Sequence, residues 1–141
     1  MGRPKQHPEL LYKTNRHCCF DLQYHMVFVT KYRKPVIQGN IETRLYEIIK
    51  DLLKSFKCNL IEINSEPDHI HILFEAPPQI ALSTLSNNLK TVTARRLRKE
   101  FAQELSKYYL EPCFWSESYF VGSVSERTKT VVQQYIQRQK G

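Results

Sequence analysis

Two short motifs contain the residues of this chain that are best suited to metal binding and nucleophilic catalysis. His69 and His71 are separated only by Ile70, and residues two apart in a strand project from the same face. The two imidazoles would then lie roughly 6 to 7 Å apart at the backbone, close enough to share one metal ion. A pair of this kind can equally well add polarity to a sheet surface or pack between a helix and a sheet.

The second motif places Tyr135 and Gln139 four residues apart near the C-terminal end. On a helix these positions are neighbours on one face. If Gln139 joins the histidines on a metal, Tyr135 lies beside that metal as a nucleophile for a phosphodiester, and a carboxamide ligand favours Mg²⁺ or Mn²⁺. The alternative is that Tyr135 packs on the core with Ile136, because a phenol with a pKa near 10 is a weak nucleophile without assistance.

The other histidines give little support to a zinc site. A histidine-triad hydrolase would have a third histidine at position 73, where this chain has Leu73. His7, His17 and His25 lie in no motif that supports a role as a ligand. A zinc-dependent hydrolase therefore remains only as an alternative.

Hydrophobic periodicity predicts the elements that would position these motifs. We expect strands at 20–30, 60–64, 69–74 and 114–124, and helices at 41–56 (capped by Asn40), 79–105 and 126–139 (entered through Ser125). The first six elements form a split β-α-β repeat. This predicts an α+β fold, ferredoxin-like or RRM-like, with a four-stranded antiparallel sheet and two helices on one face.

Domain organisation follows from the same order of elements. A length of 141 residues favours a single domain covering 1–141. The histidine strand comes third, so it should lie inside the sheet rather than at its edge. Residues 125–141 would add a C-terminal helix that carries the tyrosine, and residues 1–17 would form a basic, partly mobile arm.

The charge of the chain favours a polyanionic partner. The net charge is +7, and Lys and Arg cluster in a loop and on a helix, where they could track phosphates. The candidates for DNA binding are Lys31, Arg33, Lys34, Lys90, Arg95, Arg98 and Lys99. The helical set could also be an ordinary solvated face. Four aromatic residues could stack unpaired bases, although at least half of them should be core: Phe114, Trp115, Tyr119 and Phe120.

Several classes of protein are disfavoured by composition. No apolar run is long enough to span a bilayer, and no apolar stretch follows the charged N-terminus as in a secretory signal. We therefore expect a cytoplasmic protein without a membrane partner. The four cysteines form no C-x-x-C pair, which argues against a zinc finger and for reduced thiols.

These stretches together resemble a known family, the single-tyrosine HUH transposases of small bacterial insertion sequences. These are TnpA-type enzymes, with REP-associated tyrosine transposases as relatives. The resemblance runs from Leu11 to Gln139. The matching segments are 24–34, 67–73, 95–101, 115–122 and 135–139.

The resemblance implies a metal-dependent enzyme that cleaves and rejoins single-stranded DNA at hairpin-bearing ends of a mobile element. The family tyrosine corresponds to Tyr135, which would form a 5′-phosphotyrosine and release a 3′-OH. The metal ligands correspond to His69, His71 and Gln139, holding Mg²⁺ or Mn²⁺. Members are homodimers, and the terminal helix of one subunit often completes the site of the other. No nucleotide cofactor is required.

Two other functions remain open on the sequence. A non-catalytic module that binds single-stranded nucleic acid could use the same sheet topology. A related enzyme could act on chromosomal palindromic repeats instead of on its own element. Loss of activity in Tyr135→Phe would argue against the first, and the DNA that flanks the gene would decide the second.

Overall fold

The computed structural model of the chain describes residues 13–14, 19–20, 22–124 and 128–139. The predicted arm lies mostly outside these residues, as do Ser125 and the end of the chain. Two short strands, β1 (Lys13–Thr14) and β2 (Cys19–Phe20), pair with each other in antiparallel orientation.

The remaining elements confirm the predicted α+β fold. In chain order they are β3 (Gln23–Thr30), a 3-10 turn (Lys31–Arg33), α1 (Gly39–Ser55), β4 (Asn59–Glu66), β5 (His69–Glu75), α2 (Leu82–Glu100), α3 (Ala102–Leu105), β6 (Trp115–Ser123) and α4 (Thr128–Arg138). The sheet is antiparallel with the order β4-β5-β3-β6. The histidine strand β5 therefore lies inside the sheet, as predicted.

One face of the sheet forms the main core beneath α1 and α2. Met26 and Phe28 of β3 and Ile70 and Ile72 of β5 are fully buried there, because alternate residues of a strand share a face. The helices pack their leucines and isoleucines onto this face. The three- and four-residue spacing of those side chains is what predicted the helices. Each fully buried side chain of this size contributes roughly 1.5–3 kcal/mol, so this layer supplies most of the stability.

The opposite face holds the histidines and is covered in part by α4. His71 pairs with Val27, and His69 pairs with Val29, so the four side chains lie on one face. Val27 and Val29 are fully buried beneath Val132 of α4. The central strand β3 is thus buried on both sides, which its alternating pattern alone did not indicate.

Two of the differences from the predicted helix boundaries have a clear cause in the structure. The Gln38 carbonyl accepts hydrogen bonds from the amides of Ile41 (3.2 Å) and Glu42 (3.4 Å), so α1 begins at Gly39 and Asn40 lies inside the helix instead of capping it. The predicted helix at 79–105 is divided at Phe101, whose backbone (φ −125°, ψ 35°) leaves the helical region. Phe101 packs against the core, and the four-residue α3 follows it.

Two further findings concern composition. Among the helices of the described ranges, none combines the length and the apolar character needed to cross a membrane. Cys58 and Cys113 are free thiols, and burial raises the pKa of Cys58 to about 11. Cys18 and the side chain of Cys19 lie outside the described residues.

Candidate functional site

The two histidines line an open cavity of about 540 Å³ beside α4. β5 contributes His69 and His71, and β4 contributes acidic and polar side chains at the neighbouring edge. The cavity is lined by His25, Glu62, Asn64, Ser65, Glu66, His69, His71, Val132, Gln133 and Ile136. Both imidazoles therefore reach one solvent-accessible space, as the alternating spacing predicted.

Each histidine has its own hydrogen-bond partner. His69 Nδ1 lies 2.8 Å from Asp68 Oδ1. This contact does not involve the other ring nitrogen, Nε2. His71 Nε2 lies 2.5 Å from His25 Nδ1, and these two rings stack with centroids 4.7 Å apart. His25 therefore lines the cavity beside His71, a placement that the sequence interpretation did not anticipate. Its strand spacing from Val27 and Val29 placed it on this face, but only the register between β3 and β5 brings it to His71.

The histidine stack predicts a stability that depends on pH. Burial lowers the pKa of His25. The pKa of His71 is lowered mainly by burial and, to a smaller extent, by the charge of His25. The unfolded chain therefore binds protons more readily than the folded one, so stability should fall as pH drops below the unperturbed value of about 6.5. In His25→Phe, which keeps a ring for stacking, melting temperature in EDTA should vary less between about pH 7 and 5 than in the wild type. If the melting temperature changes equally with pH in the two proteins, the prediction is wrong.

Tyr135 and Gln139 share one partner on the far side of α4. Ser118 Oγ lies 3.0 Å from Tyr135 Oη and donates to Gln139 Oε1 at 2.8 Å. Because the serine has a single hydrogen, the phenol must donate to Ser118. The two side chains therefore lie on the same side, as expected, although Gln139 follows the last residue of α4 instead of belonging to the helix.

That shared face is turned away from the histidines within this subunit. Val132, Gln133 and Ile136 of α4 line the histidine cavity, whereas Tyr135 packs against Phe120 of β6 with ring centroids 5.7 Å apart. Consecutive helical residues differ by about 100° around the axis. Burial raises the pKa of Tyr135, so the phenol is protonated in this arrangement.

The donor types at the cavity fit a divalent cation in part. The two imidazoles are suitable ligands, and a harder oxygen donor would be needed to complete a Mg²⁺ or Mn²⁺ site. Within the described ranges, no three His, Cys, Asp or Glu side chains are grouped so as to hold a metal ion. Gln139, the predicted third ligand, is bound to Ser118 instead of lying at the cavity.

The predicted DNA-binding residues divide into exposed and engaged side chains. Lys34, Arg95 and Lys99 are exposed. Lys90 instead donates to the carbonyls of Ser116 (2.6 Å) and Glu117 (2.9 Å), so it holds the start of β6. Burial lowers its pKa.

The basic loop and the basic end of α2 meet at one segment of the surface. The Lys31 amide donates to the Phe114 carbonyl at 2.8 Å, and Arg98 donates to the Pro112 carbonyl at 3.2 Å. The remaining loop cation, Arg33, forms an ion pair with Asp68. The two basic clusters of the sequence are thus brought together, although some of their side chains are occupied.

The four predicted stacking aromatics belong mostly to the interior. Phe114 and Trp115 are buried, and Tyr119 and Phe120 are half-buried. Tyr32, which the sequence interpretation missed, is 54% exposed, with Lys31 Nζ 5.2 Å from its ring centroid. Its position between Lys31 and Arg33 was the available signal.

Comparison with known proteins identifies relatives along most of the chain. Residues 18–139 match the sequence profile of a family described as "Transposase IS200 like". ISDra2 transposase TnpA of Deinococcus radiodurans is 32% identical over 127 residues, covering 90% of each chain. The transposase for insertion sequence element IS200 of Salmonella typhimurium is 30% identical over 127 residues, covering 90% of this chain and 82% of the relative.

Solved structures share the fold. A crystal structure described as that of a transposase from Deinococcus radiodurans R1 has a TM-score of 0.82 and 31% identity, covering 90% of this chain and 97% of the other. A REP-associated tyrosine transposase bound to a REP hairpin has a TM-score of 0.55 and 9% identity, covering 79% of this chain and 61% of the other. The second likeness concerns the fold alone.

Proposed function

This chain belongs to the family of IS200-like transposases, enzymes that cleave and transfer DNA, and we propose that it acts through a covalent tyrosine–DNA intermediate. The substrate is single-stranded DNA with hairpins at the ends of the element. The observation that carries the proposal is the common sheet face, on which the cavity of His69 and His71 adjoins the helix that bears Tyr135. With DNA as the proposed substrate, the proposal includes a cytoplasmic location.

The chemical step is an in-line displacement at phosphorus. Tyr135 Oη forms a bond to the phosphorus as the P–O3′ bond breaks, which leaves a 5′-phosphotyrosine. The phenolic proton is lost and the released 3′-oxygen gains one, so the protons balance. One phosphoester replaces another, and the step therefore consumes no nucleotide cofactor. A second 3′-OH reverses the step on a new strand, because the ester bond is preserved in the intermediate.

His69, His71 and Gln139 are the side chains that would hold Mg²⁺ or Mn²⁺. When bound, such an ion polarises a non-bridging phosphate oxygen. The protein's own contribution is positioning, since a fixed nucleophile avoids much of the entropic cost of a bimolecular reaction. Gln139 and Tyr135 would move together, because Gln139 directly follows α4 and both side chains lie on the side that contacts Ser118.

The orientation of α4 favours a homodimer in which the terminal helices are exchanged. In one subunit, Ile136 faces the histidine cavity while Tyr135 faces Ser118. Among the described side chains of α4, Val132 is buried, and Tyr135 and Ile136 are half-buried against the same cluster. In an exchanged dimer, the partner's α4 would cover Val27 and Val29 in place of the subunit's own helix and would bring its Tyr135 to the histidines.

Incubation with labelled single-stranded hairpin DNA and Mn²⁺ tests the proposal. Denaturing electrophoresis should reveal a covalent protein–DNA adduct and a free 3′-hydroxyl strand. A zinc-dependent hydrolase would give turnover without an adduct, and a non-catalytic module would give a gel shift only under native conditions. Either of those results would overturn the proposal.

The exposed cation Arg95 provides a test of the DNA-binding surface. Arg95→Ala should weaken hairpin binding and reduce the slope of log K against log salt by about one, since one phosphate contact is lost. The matched control is Arg44→Ala on α1, because Arg44 is paired with Glu100 at 2.7 Å and should leave the slope unchanged. Fluorescence anisotropy across a salt series measures both. An unchanged slope in Arg95→Ala would remove this part of α2 from the DNA surface.

A further inference from the structure

A continuous chain of contacts joins the basic loop to one of the cavity histidines. Arg33 donates through Nε to Asp68 Oδ2 at 2.9 Å, and its Nη2 forms an ion pair with the same oxygen at 2.8 Å. The other oxygen, Asp68 Oδ1, lies 2.8 Å from His69 Nδ1. The carboxylate is thus bonded on both oxygens and is fixed between a guanidinium and an imidazole.

This contact differs from an ordinary surface ion pair. The Asp68 side chain is 24% exposed and that of His69 is 17% exposed. Two guanidinium nitrogens of Arg33 approach Asp68 Oδ2, and a carboxylate paired in this way accepts hydrogen bonds and donates none. His69 is then the donor in its contact with Asp68 Oδ1, with its proton on Nδ1.

The loop backbone is held in an unusual conformation that brings Arg33 to Asp68. Tyr32 (φ 57°) and Arg33 (φ 51°) both adopt left-handed geometry, which side chains other than glycine rarely adopt. Thr30 holds the conformation by donating from its hydroxyl to the Lys34 carbonyl at 2.8 Å. The Thr30 amide also donates to the Asp68 carbonyl at 3.0 Å, so the loop is attached to both the backbone and the side chain of Asp68.

We propose that Asp68, oriented by Arg33, is a positioning residue that fixes the His69 tautomer so that the Nε2 lone pair is available to a divalent cation. A carboxylate on the far nitrogen of a metal-binding histidine fixes the ring and raises its basicity. The neighbouring His71 differs, because its Nε2 lies against His25 Nδ1. Arg33, predicted from sequence as a DNA contact, thereby acts on the metal site.

The tautomer can be measured without metal or DNA. At about pH 8.5, well above the ordinary imidazole pKa, nitrogen NMR of the wild type should give one signal pattern for His69, with Nδ1 protonated. In Asp68→Ala the two tautomers should mix, while circular dichroism reports an intact fold. An unchanged tautomer in a folded Asp68→Ala protein would overturn the proposal.

Cation affinity supplies the second readout. Calorimetry or paramagnetic line broadening should show Mn²⁺ binding weakened about 10- to 100-fold in Asp68→Ala and less in Arg33→Met. The double variant should match Asp68→Ala alone, because Arg33 acts through Asp68. The matched control is Arg44→Met, which removes a comparable exposed ion pair on α1 and should not change affinity. If the double variant loses Mn²⁺ affinity by the product of the two single losses, Arg33 and Asp68 act independently and the assignment is overturned. Unchanged affinity in Asp68→Ala would also overturn it.

The inference rests on the proposed role of His69 as a metal ligand, yet it can fail separately. If Tyr135→Phe still forms an adduct, the nucleophile is wrong, whereas the tautomer and affinity shifts in Asp68→Ala would still stand. If the adduct behaves as proposed and Asp68→Ala changes neither the tautomer nor Mn²⁺ binding, only the positioning role is lost.

Discussion

Tyr135→Phe should eliminate the covalent protein–DNA adduct while leaving hairpin binding close to the wild type. The substitution removes only Oη, which is the proposed attacking atom and the partner of Ser118. The ring still packs against Phe120, so the cost in stability should be about 1 kcal/mol, the usual net value of one hydrogen bond. Denaturing electrophoresis with labelled hairpin DNA measures the adduct, and anisotropy measures binding.

Tyr108→Phe is the matched control for this experiment. Tyr108 is an exposed tyrosine just beyond α3, and its loss should leave the adduct unchanged. An adduct that persists in Tyr135→Phe would assign the nucleophile elsewhere. Loss of hairpin binding together with the adduct would instead mean that Tyr135 serves mainly to dock α4.

Mixed dimers should recover the activity that two inactive variants lack. His69→Ala should abolish cleavage but retain hairpin binding, because it removes one proposed metal ligand on the sheet. If the helices are exchanged, a heterodimer of His69→Ala with Tyr135→Phe has one intact site, made of the histidines of one subunit and the tyrosine of the other. Heterodimers purified through two different tags should then form adduct at about half the wild-type level.

The opposite arrangement gives a clearly different result. If each helix serves its own subunit, every site in that heterodimer carries one defect and no adduct forms. A heterodimer of wild type with Tyr135→Phe keeps one active site under either arrangement and reports the quality of the preparation. An inactive mixed dimer beside an active control would exclude exchange and favour rotation of α4 on its own sheet. Loss of hairpin binding in His69→Ala would indicate a structural role.

The fold was largely predictable because its elements have strong periodicity. Alternation in β3 and the leucine spacing in α1 reported one buried face each, and the order of elements then specified the sheet. The division of the long helix at Phe101 could not be predicted, since both halves continue the same apolar spacing and only the packing of that ring separates them. The start of α1 depends on which backbone carbonyl accepts the first helical hydrogen bond. Several polar residues at this point could begin the helix, so the sequence did not specify the position.

The candidate site was predictable only where the chemistry is local. His69 and His71 share a face through spacing alone, and Tyr135 and Gln139 lie on the same side for the same reason, although Gln139 falls just beyond α4. The approach of His25 to His71 depends on the β3–β5 register, which brings together residues 46 apart in the chain. The direction in which α4 turns its tyrosine depends on tertiary contacts with Ser118 and Phe120, which no periodicity encodes.

The hydroxyl of Ser118 bonds to both Tyr135 and Gln139, so movement of the terminal segment away from β6 breaks both hydrogen bonds. A substitution at position 118 would therefore free both side chains at once, without altering a proposed metal ligand or the proposed nucleophile.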